Sequence, residues 1–441
     1  MILIGNGVLI TQNASCPVIH DGCVAVDGTT IADFGTTSEM KVKYAGGEFY
    51  DAQGGVIMPG LINAHGHIYS AFARGMSLKN SKVSKNFTQI LENLWWRVDR
   101  ALDLPEIEYS AYTTYIDGIR NGVTTVFDHH ASAGRVPGSL FAIAEVVKKL
   151  GVRTSLCYEV SDRDGEKIAD EGIKENADFI AYAKGQDDDM IKGLFGLHAS
   201  FTLSDNTLEK CVAASGGAGF HVHVAEGIDD LYDSLKKYGK RVVERLHDVS
   251  ILGPQSIAVH CIHINAREMD ILKDTDTIVV HNPESNMGNA VGCSAALHMM
   301  QKGILMGLGT DGYTTDMLES FKVANILHKH NLGDPSVGWA ESAQMLLVNN
   351  AKICARYFKK PLGVIDKGAY ADIIVVDYEA PTPITESNTS SHILFGMMGR
   401  SVRSTMVNGR FVMKDREILT VDEREVYRKA RELAAAFWEK A

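Results

Sequence analysis

Val56-Ile57-Met58-Pro59-Gly60-Leu61-Ile62-Asn63-Ala64-His65-Gly66-His67 is an apolar run that closes on two histidines one residue apart. Side chains alternate between the faces of a strand, so His65 and His67 point the same way. Two imidazoles aimed inward from one strand end can bind a single divalent metal ion. The residues that follow, Ile68 to Met76, are mixed and loop-like, so this strand end opens toward a site. Such a pair is as often structural as metal-binding when it stands alone, and the rest of the chain must supply partners.

Working outward, apolar strand-like runs alternate with helix-like segments from about residue 60 to 360. Strands are expected at Val56–Ile62, Thr124–Asp128, Arg153–Glu159, Ile191–Leu197, Gly219–Val224, Ile257–Cys261, Thr277–Val280 and Gly303–Leu308. Helices are expected between them, among others at Glu106–Asn121, Ser139–Leu150, Ile168–Lys184, Gly239–Asp248 and Ser336–Phe358. Eight strands separated by helices suit a parallel (β/α)8 barrel; an open doubly wound sheet shows the same alternation. Polar residues cluster at the C-terminal ends of several strands, where a barrel builds its site, and this favours an α/β fold of the TIM-barrel type. The flanks read differently. Asp27-Gly28 and Asn408-Gly409 are hairpin signals, and Tyr370–Asp377 is a buried strand with a charged end. Both chain ends are therefore β-rich and are expected to pair into one small β-sandwich domain. The expected division is 1–58 for its N-terminal part, 59–362 for the barrel, and 363–441 for its C-terminal part plus a charged amphipathic terminal helix.

Composition narrows the class. The chain has 441 residues, 45% of them hydrophobic, enough for a large core. The N-terminus runs into a strand-like pattern with no basic leader, and no apolar run approaches the ~20 residues that span a bilayer. Seven scattered cysteines without a C-x-x-C pair fit a reducing compartment, so a cytoplasmic protein is expected. A net charge of -11 disfavours nucleic acid as a partner, because phosphate binding needs a basic face. Neither G-x-x-x-x-G-K-[ST] nor a well-placed G-x-G-x-x-G is present.

Four more segments join the first histidine pair. His221-Val222-His223-Val224-Ala225-Glu226 closes a strand, with His221 and His223 on one face and Glu226 free to reach back over its end. A carboxylate there could take a proton from water and deliver it to a leaving group. His260 ends another strand. His281-Asn282-Pro283-Glu284-Ser285-Asn286 suits a substrate-facing loop, and Asp311 follows the apolar, glycine-rich strand expected at Gly303–Leu308. Three histidines and an aspartate on strand ends would leave a metal ion an open position for water. The reaction type is then metal-assisted hydrolysis.

Pro59 through His67, His221 through Glu226, the His260 segment and Gly309-Thr310-Asp311 resemble the amidohydrolase superfamily, in its cytosine deaminase, chlorohydrolase and guanine deaminase branch. Gly363–Asp377 extends the match to the C-terminal flank. Leu94–Arg97, Phe127–Ser132 and Ser391–Met397 are similar to SsnA-type aminohydrolases. The resemblance implies that His65, His67, His223 and Asp311 hold one divalent metal, zinc before ferrous iron. Strand parity leaves His221 and His223 open; the family's H-x-x-E spacing selects His223, with Glu226 as proton shuttle. His260 would polarise the group under attack or approach the metal, and Asp311 would also accept a proton from the attacking water. His198 resembles a substrate-contacting histidine, though Leu197 and Ser200 stand where its segment usually has prolines. Arg74 would lie near the substrate or in a surface salt bridge. At most one of His129 and His130 faces the site, where it would contact substrate or serve a structural role, and Trp95 or Trp96 would stack on a flat ring or be buried in a helix. Binuclear relatives carry a bridging lysine at the end of the fourth strand; here only Lys192 is available, at the strand's beginning, so one metal is expected. The expected activity is removal of a ring amino group from a purine-, pterin-, pyrimidine- or triazine-like heterocycle. Chloride expulsion or cyclic amide opening would use the same residues, and a non-catalytic binding protein could share the scaffold. A homodimer or higher homo-oligomer is the default for such an enzyme.

Overall fold

The computed structural model describes residues 1–76 and 83–441. Gly60 divides the opening apolar run. Its N–H donates to the Asp372 carbonyl at 2.9 Å, and a Cβ there would lie 2.3 Å from the Thr124 side chain. The chain therefore changes sheets at Gly60, and the single strand expected over Val56–Ile62 is corrected to two. Before the break come β1 (Ile2–Ile10), β2 (Val18–Asp27), β3 (Thr30–Thr36), β4 (Glu48–Asp51) and β5 (Val56–Pro59). After it, β6 (Leu61–Gly66) opens the barrel.

Two arcs of parallel strands form that barrel. One is β6, β7 (Val123–Asp128), β8 (Arg153–Leu156) and β9 (Ile191–Gly193). The other is β10 (Phe195–Ala199), β11 (Phe220–Val224), β12 (Ile257–His260), β13 (Ile278–His281) and β14 (Met306–Leu308). β9 and β10 are one stave interrupted at Leu194, so the staves number eight. Bridges between Gly66 and Asp311 and between Val160 and Leu197 close the ring. The fold is the expected barrel and not an open sheet. Its interior is packed by Ile62, Phe127, Val259, Ile278 and Val280, all nearly inaccessible. Strands buried on both faces read as continuous apolar runs, which is how the sequence betrayed them.

β15 (Ile373–Val376), β16 (Val402–Val407), β17 (Arg410–Lys414) and β18 (Glu417–Ile418) return to the first sheet. The order is β18-β17-β16-β15-β5-β1-β2-β3, with β4 paired to β1. Both chain ends thus meet, as expected, in one β domain, a continuous hydrogen-bonded sheet of nine strands. Arg153 on β8 locks barrel to sheet: fully buried, it reaches Asp372 through Nε and Nη2 at 3.3 Å each and stacks over Tyr370. The terminal helix Glu423–Lys440 lies on the barrel instead. Tyr427 Oη donates to Asp117 at 2.8 Å and Trp438 Nε1 to the Phe72 carbonyl at 2.7 Å. No helix among the described residues is long and apolar enough to cross a membrane.

Candidate metal-dependent active site

The C-terminal ends of the barrel strands converge on one buried cluster. The sets His65–His67–Asp311, His65–His223–His260 and Glu226–His260–Asp311 each bring their ligand atoms within 4.8 Å of one another. The backbone bends sharply to achieve this. Ala225 (φ 46°), His260 (φ 70°) and Asp311 (φ 57°) occupy the left-handed region, at roughly 1–3 kcal/mol each for a residue other than glycine. Gly309 lets the last strand approach: a Cβ there would sit 2.8 Å from the His65 carbonyl oxygen. The same carbonyl accepts the amides of Thr310 and Asp311 at 3.0 Å.

Hydrogen bonds set which nitrogen of each ring faces inward. His67 Nδ1 is 2.5 Å from the His129 carbonyl oxygen, and His223 Nδ1 is 2.9 Å from that of His198. A carbonyl only accepts, so each Nδ1 carries the hydrogen and each Nε2 is left bare. Those two Nε2 atoms are 3.2 Å apart, and Asp311 Oδ1 is 3.2 Å from that of His67. His65 Nδ1 meets His221 Nε2 at 2.9 Å, while its Nε2 is buried with no partner among the described residues. Lone pairs and a carboxylate crowded this closely need a cation among them. The pull toward positive charge shows in His67 itself: against the effect of burial, the hydrogen bond and charge of Asp311 hold it up to about 9. Burial and the neighbouring imidazoles push His65 and His223 well below normal. The donor set of imidazole nitrogens and one carboxylate is that of a catalytic zinc or iron site.

Around this centre the acids divide. Burial, reinforced by the charge of Asp311, pushes Glu226 well above the usual carboxylate range. Burial works the same way on Asp311, but His67 holds it far below that range. His260 Nε2 lies 3.4 Å from Glu226 and 3.6 Å from Asp311, and its Nδ1 is 2.8 Å from Asn286 Oδ1. Ser285 Oγ donates to Asp311 Oδ2 at 2.6 Å. Two carboxyl groups set apart in this way can act as proton donor and proton acceptor at one pH.

A chamber of about 290 Å³ opens over the cluster, at the small end of ligand-sized pockets. Trp95, Trp96, Leu91, Leu94 and Phe201 line it together with His198, whose ring centre lies 6.3 Å from that of Trp96 and 5.7 Å from that of Phe201. His198 is held by Thr202 Oγ1 at 2.7 Å. Both tryptophans therefore border the chamber. His129 does not: it is buried behind the centre, with Nε2 3.0 Å from the His221 carbonyl and Nδ1 3.2 Å from Glu159. His130 turns the other way, toward Ser132. Of the two places left open for Arg74, the structure gives the surface salt bridge: its side chain is 71% exposed and paired with Asp117 at 2.9 Å, and it does not line the chamber. Lys192 pairs with Asp189 at the opposite end of its stave from the centre.

Sequence reading passed over Glu159, Arg163, Ser285 and Asn286. Glu159 was legible as a carboxylate at the C-terminal end of a barrel strand, a position that reads as functional. Ser285 and Asn286 lie in the polar loop after β13, whose location was read correctly without assigning its members. Arg163 carried no signal, because only the folded chain brings it beside Glu159, Asp99 and Asp164.

The sequence pattern of the amidohydrolase family matches residues 56–412, and the chain belongs to that family. It is a hydrolase of carbon–nitrogen bonds. A 5'-deoxyadenosine deaminase of Methanosarcina mazei is 29% identical over 440 residues, covering 98% of this chain and 97% of its own. A 5-methylthioadenosine/S-adenosylhomocysteine deaminase of Syntrophomonas wolfei is 31% identical over 443 residues, covering 98% of each. Among solved structures, an adenosine deaminase of Xanthomonas campestris with bound zinc superposes with a TM-score of 0.87 at 22% identity, over 99% of this chain and 98% of that one.

Proposed function

We propose that this chain hydrolytically deaminates a small aminated heterocycle of the purine type, using one divalent ion held by His65, His67, His223 and Asp311. The bare, facing Nε2 atoms of His67 and His223, 3.2 Å apart beside Asp311, carry this reading. When bound, the ion supplies a hydroxide nucleophile at neutral pH. Zinc is preferred to iron, because the donor set suits both and zinc needs no reducing protection. Glu226 begins protonated and gives its proton to the ring nitrogen beside the carbon under attack. It then carries a proton from the attacking water to the departing amine. Water adds at the carbon, the C–N bond breaks, ammonia leaves and the ring keeps the oxygen. His260 holds the oxygen side of the reacting carbon, with Asn286 fixing its ring. Trp95 and His198 border the space for the heterocycle.

The test is ammonia release from a panel of aminated purines, pterins, pyrimidines and triazines, with metal content quantified on the same protein. Release from one group supports the assignment and names the ring. No release from any, at one ion per chain, would reject deamination and point to chloride loss or ring opening.

A further inference from the structure

His221 has no part in the chemistry above, although it shares a strand face with His223. It is fully buried, and it joins none of the groups whose ligand atoms converge on the centre. Its ring lies between two partners instead. His65 Nδ1 is 2.9 Å from His221 Nε2, and Cys157 Sγ is 3.7 Å from His221 Nδ1. Cys157 Sγ is in turn 3.4 Å from the Asp128 carbonyl oxygen. This run of contacts crosses the barrel from Asp128 on β7, through Cys157 just after β8 and His221 on β11, to His65 on β6.

The direction of every hydrogen along the run is fixed from one end. A carbonyl oxygen only accepts, so the single Cys157 hydrogen goes to Asp128. Burial pushes the thiol well above its ordinary value, so that hydrogen stays on sulfur. The sulfur then has only a lone pair for His221, whose Nδ1 must bring the hydrogen. Neither ring nitrogen of His221 meets a carboxylate, and a fully buried imidazole without a counter-charge is neutral, with one hydrogen. Its Nε2 is therefore bare and takes the hydrogen of His65 Nδ1. That leaves His65 Nε2 bare, and this is the buried atom without a partner among the described residues. The opposite assignment would set a bare His221 Nδ1 against a sulfur that has no second hydrogen to give. We propose that His221, held by Cys157, is the positioning residue of His65: it fixes the ring tautomer that offers a bare Nε2 to the divalent ion. On His67 and His223 a backbone carbonyl at Nδ1 does the same. A backbone carbonyl survives any substitution, whereas here a side chain acts and can be replaced. The inference rests on the reading of His65 as a metal ligand and deepens it.

The full-length protein is stripped with a chelator, then titrated with Zn2+ against a competing chelator and with Co2+ by visible absorption. Wild type is compared with H65A, H221F, H221Q, C157A and C157S. Phenylalanine keeps the bulk of the ring but has no lone pair for His65; glutamine can turn its Oε1 toward Nδ1. Loss of the orienting partner predicts that H221F binds zinc about 10- to 100-fold more weakly, with a shifted cobalt band. H221Q should recover most of that loss, and C157S should stay near wild type where C157A weakens. A residue that only fills space would cost thermal stability and leave zinc affinity and the cobalt band unchanged; that result overturns the inference, as does H221Q binding as weakly as H221F. Should H221F fail to fold, long-range proton–nitrogen NMR of the zinc-loaded wild type decides: a hydrogen on His221 Nδ1 supports the assignment, and one on Nε2 overturns it. If H65A binds zinc as tightly as wild type, the ligand reading itself falls. If H65A loses zinc while H221F keeps it, only the role of His221 falls.

Discussion

Replacing Glu226 by glutamine separates chemistry from architecture. Glu226 is 8% exposed, is not one of the four proposed metal ligands, and is held well above the usual carboxylate range by burial and the charge of Asp311. Glutamine matches its volume and hydrogen bonding but cannot pass a proton. The side chain keeps its size and shape, so the fold should lose about 1 kcal/mol or less, within the range of mild substitutions. Metal content should be unchanged. Catalysis should not be: general acid–base transfer contributes about 10²–10⁴-fold, which is about 2.7–5.4 kcal/mol of barrier at 1.36 kcal/mol per tenfold. kcat and kcat/KM should fall together, the mark of an interaction made only in the transition state. The assay combines steady-state ammonia release, metal quantification and thermal melting on one preparation. Activity within tenfold of wild type would remove Glu226 from proton transfer. Activity lost together with metal would make it a ligand and refute the division of the acids.

Asp311→Asn should lower metal content as well as activity, because a carboxylate 3.2 Å from His67 Nε2 becomes a neutral amide; unchanged metal would move that ligand role to His260. Arg153→Met leaves Asp372 buried without its guanidinium and should cost about 3–5 kcal/mol in urea unfolding; combining it with Asp372→Leu should recover a large part, and a simple sum of the two losses would show that they do not act as a pair. Asp33 sits between Lys43 and Lys367, and although burial opposes it, their hydrogen bonds hold its carboxyl well below the ordinary 3.8. A folded-state value below the unfolded one gives stability that is present above pH 3.8 and lost as pH falls through the folded value. Asp33→Asn should therefore destabilise at pH 7 by about 1 kcal/mol and converge on wild type in strong acid; equal melting at pH 7 would discard the bridge.

Local chemistry made much of this molecule legible in one dimension. Continuous apolar runs marked the barrel strands, because a parallel strand buried on both faces has no polar side to show. Period-two spacing put His65 beside His67 and His221 beside His223, since side chains two apart must share a face. Asp311 and His260 stood out as polar residues ending apolar strands. What the sequence could not decide depended on contacts between distant segments. Gly60 divides an unbroken apolar run because Thr124 and Asp372, far along the chain, leave no room for a side chain. Arg74 finds Asp117 on the surface, and Arg163 finds Glu159 and Asp99 on the chamber wall; neither guanidinium differs from the other in sequence. His129 and His130 were known to point opposite ways, but only packing turned both away from the chamber. The sequence by itself determined which side chains could bind a metal and on which strand ends they lie, because backbone periodicity acts over a few residues. Which nitrogen of each ring faces inward, and which acid keeps its proton, was decided by tertiary structure alone, through carbonyls, charges and burial contributed by other strands.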